Sequence, residues 1–204
     1  PTGAACLKAS LEAGEVTTVS KINTIADGTA VQTPGDKLFP YLQANVDQVI
    51  TVDDSELTLS FLDMAENHKM IVENSGLLTV AALKHLDFKG KKVVSVLSGG
   101  NMEVLTMATV VQNGLMQRDR IFTVSVMLPD KPGQLAAVSA LIAKEQGNVI
   151  KLEHNVFANV NRAAGVELTI TLESFGTEHK DQIIKALETA GYCPVISKTS
   201  GIYM

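Results

Sequence analysis

Three short groups of polar residues stand beside glycines in the first half of this sequence: Asp27-Gly28, Glu73-Asn74-Ser75-Gly76 and Ser98-Gly99-Gly100-Asn101. Glycine lets a backbone approach a ligand closely, and Ser98 and Asn101 add side chains that donate and accept hydrogen bonds. Glu73 is a carboxylate between an apolar pair and a glycine turn. It could face a ligand, or stand at a helix start where the macrodipole favours a negative charge. Asp27-Gly28 marks a tight turn. The remaining reactive side chains read as bystanders. His68 falls on a solvated helix face and His85 near a helix end; Lys89, Lys91 and Lys92 share a charged loop, poorly placed for a buried Schiff base; Cys6 and Cys193 lack metal-ligand spacing. An ordinary strand-turn-helix produces the same glycine bend, so spacing alone does not decide for a ligand.

The elements that must position these groups follow from periodicity. Lys92 to Leu97 is a short β-branched run, read as a buried strand that breaks at Gly99 and Gly100. A helix follows over Glu103 to Asn113, with Gly114 placed to end it. That order puts the bend at the carboxyl edge of a sheet, where α/β proteins bind ligands. Upstream, Thr2 to Leu11 has helical spacing and stops at Gly14. Asp36 can cap a helix to Ala44, with Pro40 limiting its start, and Val46 to Val52 is a strand candidate. Asp53-Asp54-Ser55-Glu56 is a capping box before a helix whose buried stripe is Leu57, Phe61, Met64 and Ala65. A further apolar helix spans Leu77 to Leu86. Helix and strand alternate over Asp36 to Gly114, which predicts an α/β unit with parallel pairing.

The composition turns polar at Met116 to Arg120, and the pattern then changes. This places a boundary between residues 1–118 and 119–204. Strand patterns at Ile121 to Leu128, Asn148 to Phe157, Val166 to Leu172 and Tyr192 to Ser197 alternate with helices over Leu135 to Lys144, stopped at Gly147, and from a Thr177 cap to Ala190. A polar turn spans Asn159 to Gly165. The order is βαββαβ, the ferredoxin-like arrangement.

A chain of 204 residues that is 46% apolar can bury two small cores. Its net charge of −5 argues against a nucleic-acid surface. No apolar run reaches the ~20 residues of a membrane span, and no secretory segment opens the sequence. With two lone cysteines, this predicts reduced thiols and a cytoplasmic setting.

Two resemblances meet on this chain. The second half, with Leu128-Pro129-Asp130-Lys131-Pro132-Gly133-Gln134-Leu135 after its first strand, resembles an ACT domain, a regulatory module that binds amino acids or related metabolites, usually where two modules pair. The first half resembles the later part of the catalytic domain of threonine ammonia-lyases (threonine dehydratases), which are pyridoxal-phosphate enzymes of the tryptophan-synthase-β group, fold type II. Thr24-Ile25-Ala26-Asp27-Gly28, Val72-Glu73-Asn74-Ser75-Gly76 and Val96-Leu97-Ser98-Gly99-Gly100-Asn101 carry that likeness in order.

The resemblance implies that Ser98 faces the pyridine nitrogen of the cofactor, that Gly99, Gly100 and Asn101 form the turn beside it, and that Glu73, Asp27 and Gly28 line the site. Asn74-Ser75 departs from the smaller residues often found there. It implies a monovalent cation held in part by the Ala4 carbonyl. It also implies an effector site using Asp130, Pro132, Gly133, Gln134 and Leu135 with Asn148 and Val149, the helix start near Gly133 offering free amides to a carboxylate. The family holds its cofactor on a lysine in an early Ser-x-Lys-x-Arg-Gly segment and cradles the phosphate with a run of glycines; neither occurs here. The expectation is therefore a carboxyl-terminal portion of a threonine/serine ammonia-lyase that converts threonine to 2-oxobutanoate and ammonia. Alone it would be inactive. Its partners would be an amino-acid substrate, an effector, the missing amino-terminal part of the catalytic domain, and further copies pairing through both domains. A stand-alone amino-acid sensor with a degenerate first half is the alternative.

Overall fold

The computed structural model describes residues 1–155 and 165–197. The chain divides into two compact units, Pro1–Gly114 and Leu115–Met204.

The first unit is built from helices joined by extended segments. Helix α1 (Cys6–Ala13) closes on Gly14. Inside it, Ser10 Oγ donates to the Cys6 carbonyl (2.7 Å) and accepts from the Thr17 N–H (2.8 Å), which ties down the chain beyond the helix. Helix α2 (Phe39–Asn45) starts later than an Asp36 cap would place it, because Pro40 lacks an N–H and fits only the first helical turn. Helix α3 (Asp54–Asp63) has the expected capping box, with the Asp53 N–H donating to Glu56 Oε2 at 2.9 Å. Helix α4 (Leu78–Ala81) is shorter than its apolar pattern suggests and tightens into a 3-10 turn over Ala82–His85. Leu57, Phe61, Met64, Leu77, Ala81 and Val110 form the core with Ala26, Val52 and Val72. Fully burying one such large side chain is worth about 1.5–3 kcal/mol.

Two expectations for this unit need correction. Helix α5 (Val104–Gln117) does not end at Gly114. A Cβ there would lie 2.6 Å from Leu62 Cδ1, so this glycine lets α5 pack closely on α3. More importantly, Lys92–Leu97 and Val46–Val52 are not strands, and the predicted parallel sheet is absent among the described residues. Val94 and Val96 are 89% and 68% exposed. A strand is held by ladder bonds to its neighbours, and a β-branched run matures into a buried strand only when those neighbours cover it. The first unit supplies none.

The second unit carries the βαββαβ order. Strands β1 (Ile121–Leu128), β2 (Asn148–Asn155), β3 (Val166–Glu173) and β4 (Val195–Ser197) alternate with helices α6 (Gln134–Lys144) and α7 (Thr177–Thr189). The sheet order is β2-β3-β1-β4, antiparallel throughout. Phe122, Val124, Val126 and Leu128 alternate inward to meet Leu168, Ile170 and Leu172 beneath Val138, Ile142, Ile183 and Leu187 of the helices. Thr123 and Thr171, on the other sheet face, share a hydroxyl hydrogen bond of 2.9 Å. The end of the second predicted strand, most of the Asn159 to Gly165 turn and the tail from Lys198 lie outside the described residues.

Thr177 is not the cap of α7. Gly176 takes that position and Thr177 Oγ1 donates instead to Asp119 Oδ2 (2.8 Å). Lys180 Nζ donates to the other carboxylate oxygen (2.8 Å), and the Asp119 carbonyl accepts from Ser174 Oγ. His179 is buried behind this network. Its Nδ1 accepts from the Phe175 N–H (3.0 Å) and its Nε2 donates to the Glu145 carbonyl (2.6 Å), joining α7 to the end of α6.

Partial burial opposes ionisation of Asp119, but the hydrogen bonds from Lys180 and Thr177, with the Lys180 charge, outweigh it and hold the carboxyl below the usual carboxylate range. The folded unit therefore binds fewer protons there than the unfolded chain. Its stabilising contribution is complete above the unfolded value of about 4 and is lost as pH falls through the lower folded value. Asp119→Ala should lower the urea midpoint at pH 7, and its gap from the parent chain should close below about pH 4. A gap that holds constant through that range contradicts this.

Candidate functional site

The bend at Ser98-Gly99-Gly100 forms where two other segments meet it. The Glu73 N–H donates to the Gly99 carbonyl at 3.3 Å. The Glu73 carboxyl group then folds over Gly99 so closely that a Cβ at Gly99 would overlap it, and Gly99 takes φ +80°, a conformation that favours glycine. On its other side the same carboxylate approaches Gly28, where a Cβ would lie 3.4 Å from Glu73 Oε1 and 2.9 Å from Ser75 Oγ. Gly76 makes room in turn for the Ser98 carbonyl. Thus the structure brings Glu73, Gly28, Ser98 and Gly99 together, with Asp27 and Asn101 lining the adjoining cavity.

The Thr24–Gly28 segment has no regular structure of its own beyond a 3-10 turn at Asp27–Thr29. It is held by one peptide-length clamp. Asp54, the first residue of α3, accepts from Thr24 Oγ1 (2.6 Å) and from the Ile25 N–H (2.9 Å). Asn74 Nδ2 donates to the Ile25 carbonyl at 2.9 Å. Both polar groups of one backbone residue are thereby engaged by side chains from separate elements. Asp54 does not stand out as a site residue in the sequence, and Asn74 is visible there only as a member of the Glu73–Gly76 group. Asp54 lay hidden inside the capping-box pattern, and the Asn74 bond spans 49 positions, which no local pattern encodes.

A cavity of 590 Å³ opens beside these groups, lined by Thr24, Asp27, Glu73, Asn74, Asn101 and Glu103 among others. The Ser98 side chain is exposed, and the space around Gly100 is open. A serine hydroxyl, a glycine bend without side-chain bulk and a buried amide with a spare acceptor fit the heteroaromatic end of pyridoxal phosphate. The cavity lining contains no Lys or Arg, so a phosphate group would be held by residues outside it.

The remaining candidates are dispersed. Ala4 is buried in a 3-10 turn over Thr2–Ala4. Among the described residues no cluster of three or more His, Cys, Asp or Glu is placed to hold a metal ion. In the second unit Asp130, Pro132, Gly133, Gln134 and Leu135 form the loop after β1 and the start of α6, with Gly133 at φ +90° as its N-cap. Asn148 and Val149 open β2. Asn148 pairs with Glu173, which pairs with Ile121, whereas the loop leaves the sheet beyond Leu128. The two parts of the expected effector site thus sit at opposite ends of a strand of eight residues, roughly 23 Å apart at ~3.3 Å per residue.

Gly99→Ala should drive Glu73 off the bend and abolish the local amide protection of residues 98–101, with a stability loss of about 1–3 kcal/mol. Asp54→Ala should release Thr24–Gly28, read as faster hydrogen exchange at Ile25 and Ala26, while the Asp53–Glu56 box keeps α3 protected. Unchanged exchange in both segments would show that the clamp does not hold them.

Residues 1–99 match the family model described as pyridoxal-phosphate dependent enzyme. The chain is 36% identical over 186 residues to an L-threonine ammonia-lyase of Geobacter sulfurreducens and 33% identical over 185 residues to one of Thermotoga maritima. Each match takes in 90% of this chain and 46% of the relative, so the chain spans about half the length of these relatives. The processed form of threonine deaminase isoform 2 from Solanum lycopersicum superposes with a TM-score of 0.51 at 26% identity, over 55% of this chain and 34% of that one. Among the described residues no helix is long and apolar enough to cross a membrane. The first half of the chain, carrying the Glu73 and Ser98 segments in their expected order, thus matches the pyridoxal-phosphate-dependent enzyme family.

Proposed function

We propose that this chain is the carboxyl-terminal portion of a cytoplasmic threonine ammonia-lyase, which converts L-threonine to 2-oxobutanoate and ammonia. The observation that carries the proposal is the Glu73 carboxyl group set between Gly28 and Gly99, beside Ser98. When bound, pyridoxal phosphate supplies a sink for the electron pair left as the substrate Cα–H bond breaks. Ser98 would present its hydroxyl to the ring nitrogen, and because a hydroxyl is a weak acid it would leave that nitrogen largely unprotonated, which would suit loss of the β-hydroxyl. Gly99 and Gly100 keep the ring approach clear, and Glu73, Asp27, Gly28 and Asn101 line the ring end. The capturing amine and the phosphate cradle come from an amino-terminal part of the catalytic domain, and a monovalent cation is proposed at the Ala4 carbonyl.

The second unit is proposed to be an ACT-type effector module that works in pairs. β2 is an edge strand with Val149, Ile150 and Leu152 each more than a third exposed. Pairing β2 antiparallel with β2 of a second copy would set Asn148 and Val149 of one module against the Asp130–Gln134 end of the other. That supports an effector site completed only between copies, since one module alone keeps its two parts at opposite ends.

Joined to a lysine-bearing amino-terminal half, the protein should form 2-oxobutanoate from threonine, and this chain alone should form none. In the joined protein Ser98→Ala should lower kcat about 10–100-fold, equivalent to about 1.4–2.7 kcal/mol. Turnover by this chain alone, or full activity in Ser98→Ala, overturns the site assignment. A hydrophobic amino acid should raise the melting temperature of this chain, more so as protein concentration rises, because binding and pairing are linked. Flat melting curves across all amino acids and AMP would favour a first half and a second half with no effector role.

A further inference from the structure

We infer that Asn74 is a positioning residue for the cofactor end: through the Ile25 carbonyl it sets the angle at which the Asp27–Gly28 turn meets Glu73. This role rests on the lyase reading for what the turn faces. The Thr24–Ala30 run closes most of its hydrogen bonds on itself. Thr24 Oγ1 accepts from the Ala26 N–H (3.1 Å) and Asp27 Oδ1 from the Gly28 N–H (2.9 Å). The Ala26 carbonyl accepts from Thr29 Oγ1 (3.0 Å) and from the Thr29 N–H (3.1 Å). Such bonds shape the turn but do not fix where it sits. Among the described residues, the hydrogen bonds that reach it from other segments come from Asp54 and Asn74.

The two anchors act on different peptide planes. Asp54 holds the Ile25 N–H, which belongs to the plane shared with Thr24. Asn74 holds the Ile25 carbonyl, which belongs to the plane shared with Ala26. One anchor alone leaves the chain free to turn at the Ile25 Cα; both together fix φ and ψ there, the two soft torsions of a residue. The direction in which Ala26, Asp27 and Gly28 leave the clamp is therefore set by Asn74. Its side chain is only 4% exposed, so water competes little for the bond. On either side of it in the chain, Glu73 covers Gly99, and Ser75 Oγ lies 2.9 Å from the Cβ position of Gly28. Three consecutive residues thereby touch both loops, and the middle one fixes their register. The donor matters as much as the size, because an acceptor in place of Nδ2 would face the carbonyl acceptor of Ile25.

The test has two arms, and both use Asn74→Asp, which keeps the shape of the side chain and removes the donor. In this chain, hydrogen-exchange protection corrected for intrinsic rates should fall at Ala26, Gly28 and Thr29 at about pH 8, while the Leu57–Leu62 amides of α3 keep theirs. It should return at about pH 5, because burial favours the protonated carboxyl, whose O–H can donate to the Ile25 carbonyl. In the joined protein at about pH 8, the same change should weaken pyridoxal phosphate uptake about tenfold, in line with the loss of one buried hydrogen bond, and activity should recover as free cofactor is raised. A merely structural loss would neither reverse with pH nor respond to added cofactor. If Asn74→Asp does not fold, Asn74→Ser, which buries no charge, takes its place in both arms without the pH reversal. Parent-like exchange at Ala26–Thr29, exchange that rises equally in α3, or unchanged cofactor affinity would each overturn the inference. A parent joined protein that takes up no cofactor overturns the lyase reading and this role together; a parent that takes it up, beside a variant that does so equally well, overturns this role alone.

Discussion

One carboxyl group fills the space that a side chain at Gly99 would need, and it lies at van der Waals distance from the Cβ position of Gly28, where Ser75 Oγ leaves no room. Glu73 lies over Gly99, and Glu73 and Ser75 together lie against Gly28, so both loops contact the Glu73–Gly76 run. The run from Glu73 to Gly76 acts as a template. Glu73 sets the bend through its N–H and its carboxylate, Asn74 and Ser75 face the Ile25–Gly28 side, and Gly76 admits the Ser98 carbonyl. Neither loop has a ladder or a helix to fix it. Their shape is borrowed from this run and from Asp54 at the start of α3, whose own position is fixed by the neighbouring capping box. Residues that are not regular can be exact in place when side chains from rigid elements hold their backbone groups.

The two units differ in how far their own residues satisfy them. The second has a four-stranded sheet with helices packed on one face, and its inward strand residues are buried. The first has a helical core but leaves Val93, Val94 and Val96 exposed beside the bend. An apolar run of that kind on a surface marks a contact to be made. It is in keeping with a chain that covers less than half of its relatives' length.

Much of this was legible in the sequence where the cause is local. The second unit's alternation of Phe122, Val124, Val126 and Leu128 reports a half-covered strand whatever surrounds it, and its βαββαβ order follows. The capping box at Asp53–Glu56 is likewise complete within four residues. The glycine-flanked groups were visible too, although only the fold explains why Gly28 and Gly99 lack side chains. The strand read at Lys92–Leu97 fails because periodicity records what a segment prefers, while a ladder requires partners elsewhere. Gly114 reads as a helix stop because a glycine that ends a helix and one that admits a neighbouring leucine look alike in sequence. The distance between the Asp130–Gln134 loop and Asn148 is set by strand register, and no single segment encodes it.

The most direct measurement is cofactor uptake by the polypeptide that joins this chain to a lysine-bearing amino-terminal half, read as visible absorbance after dialysis against pyridoxal phosphate. The account requires a bound cofactor with a band near ~400–430 nm, and loss of that band when Gly99 is replaced and Glu73 displaced. A folded, joined protein that takes up no cofactor, or one whose spectrum ignores the Gly99 bend, would contradict it.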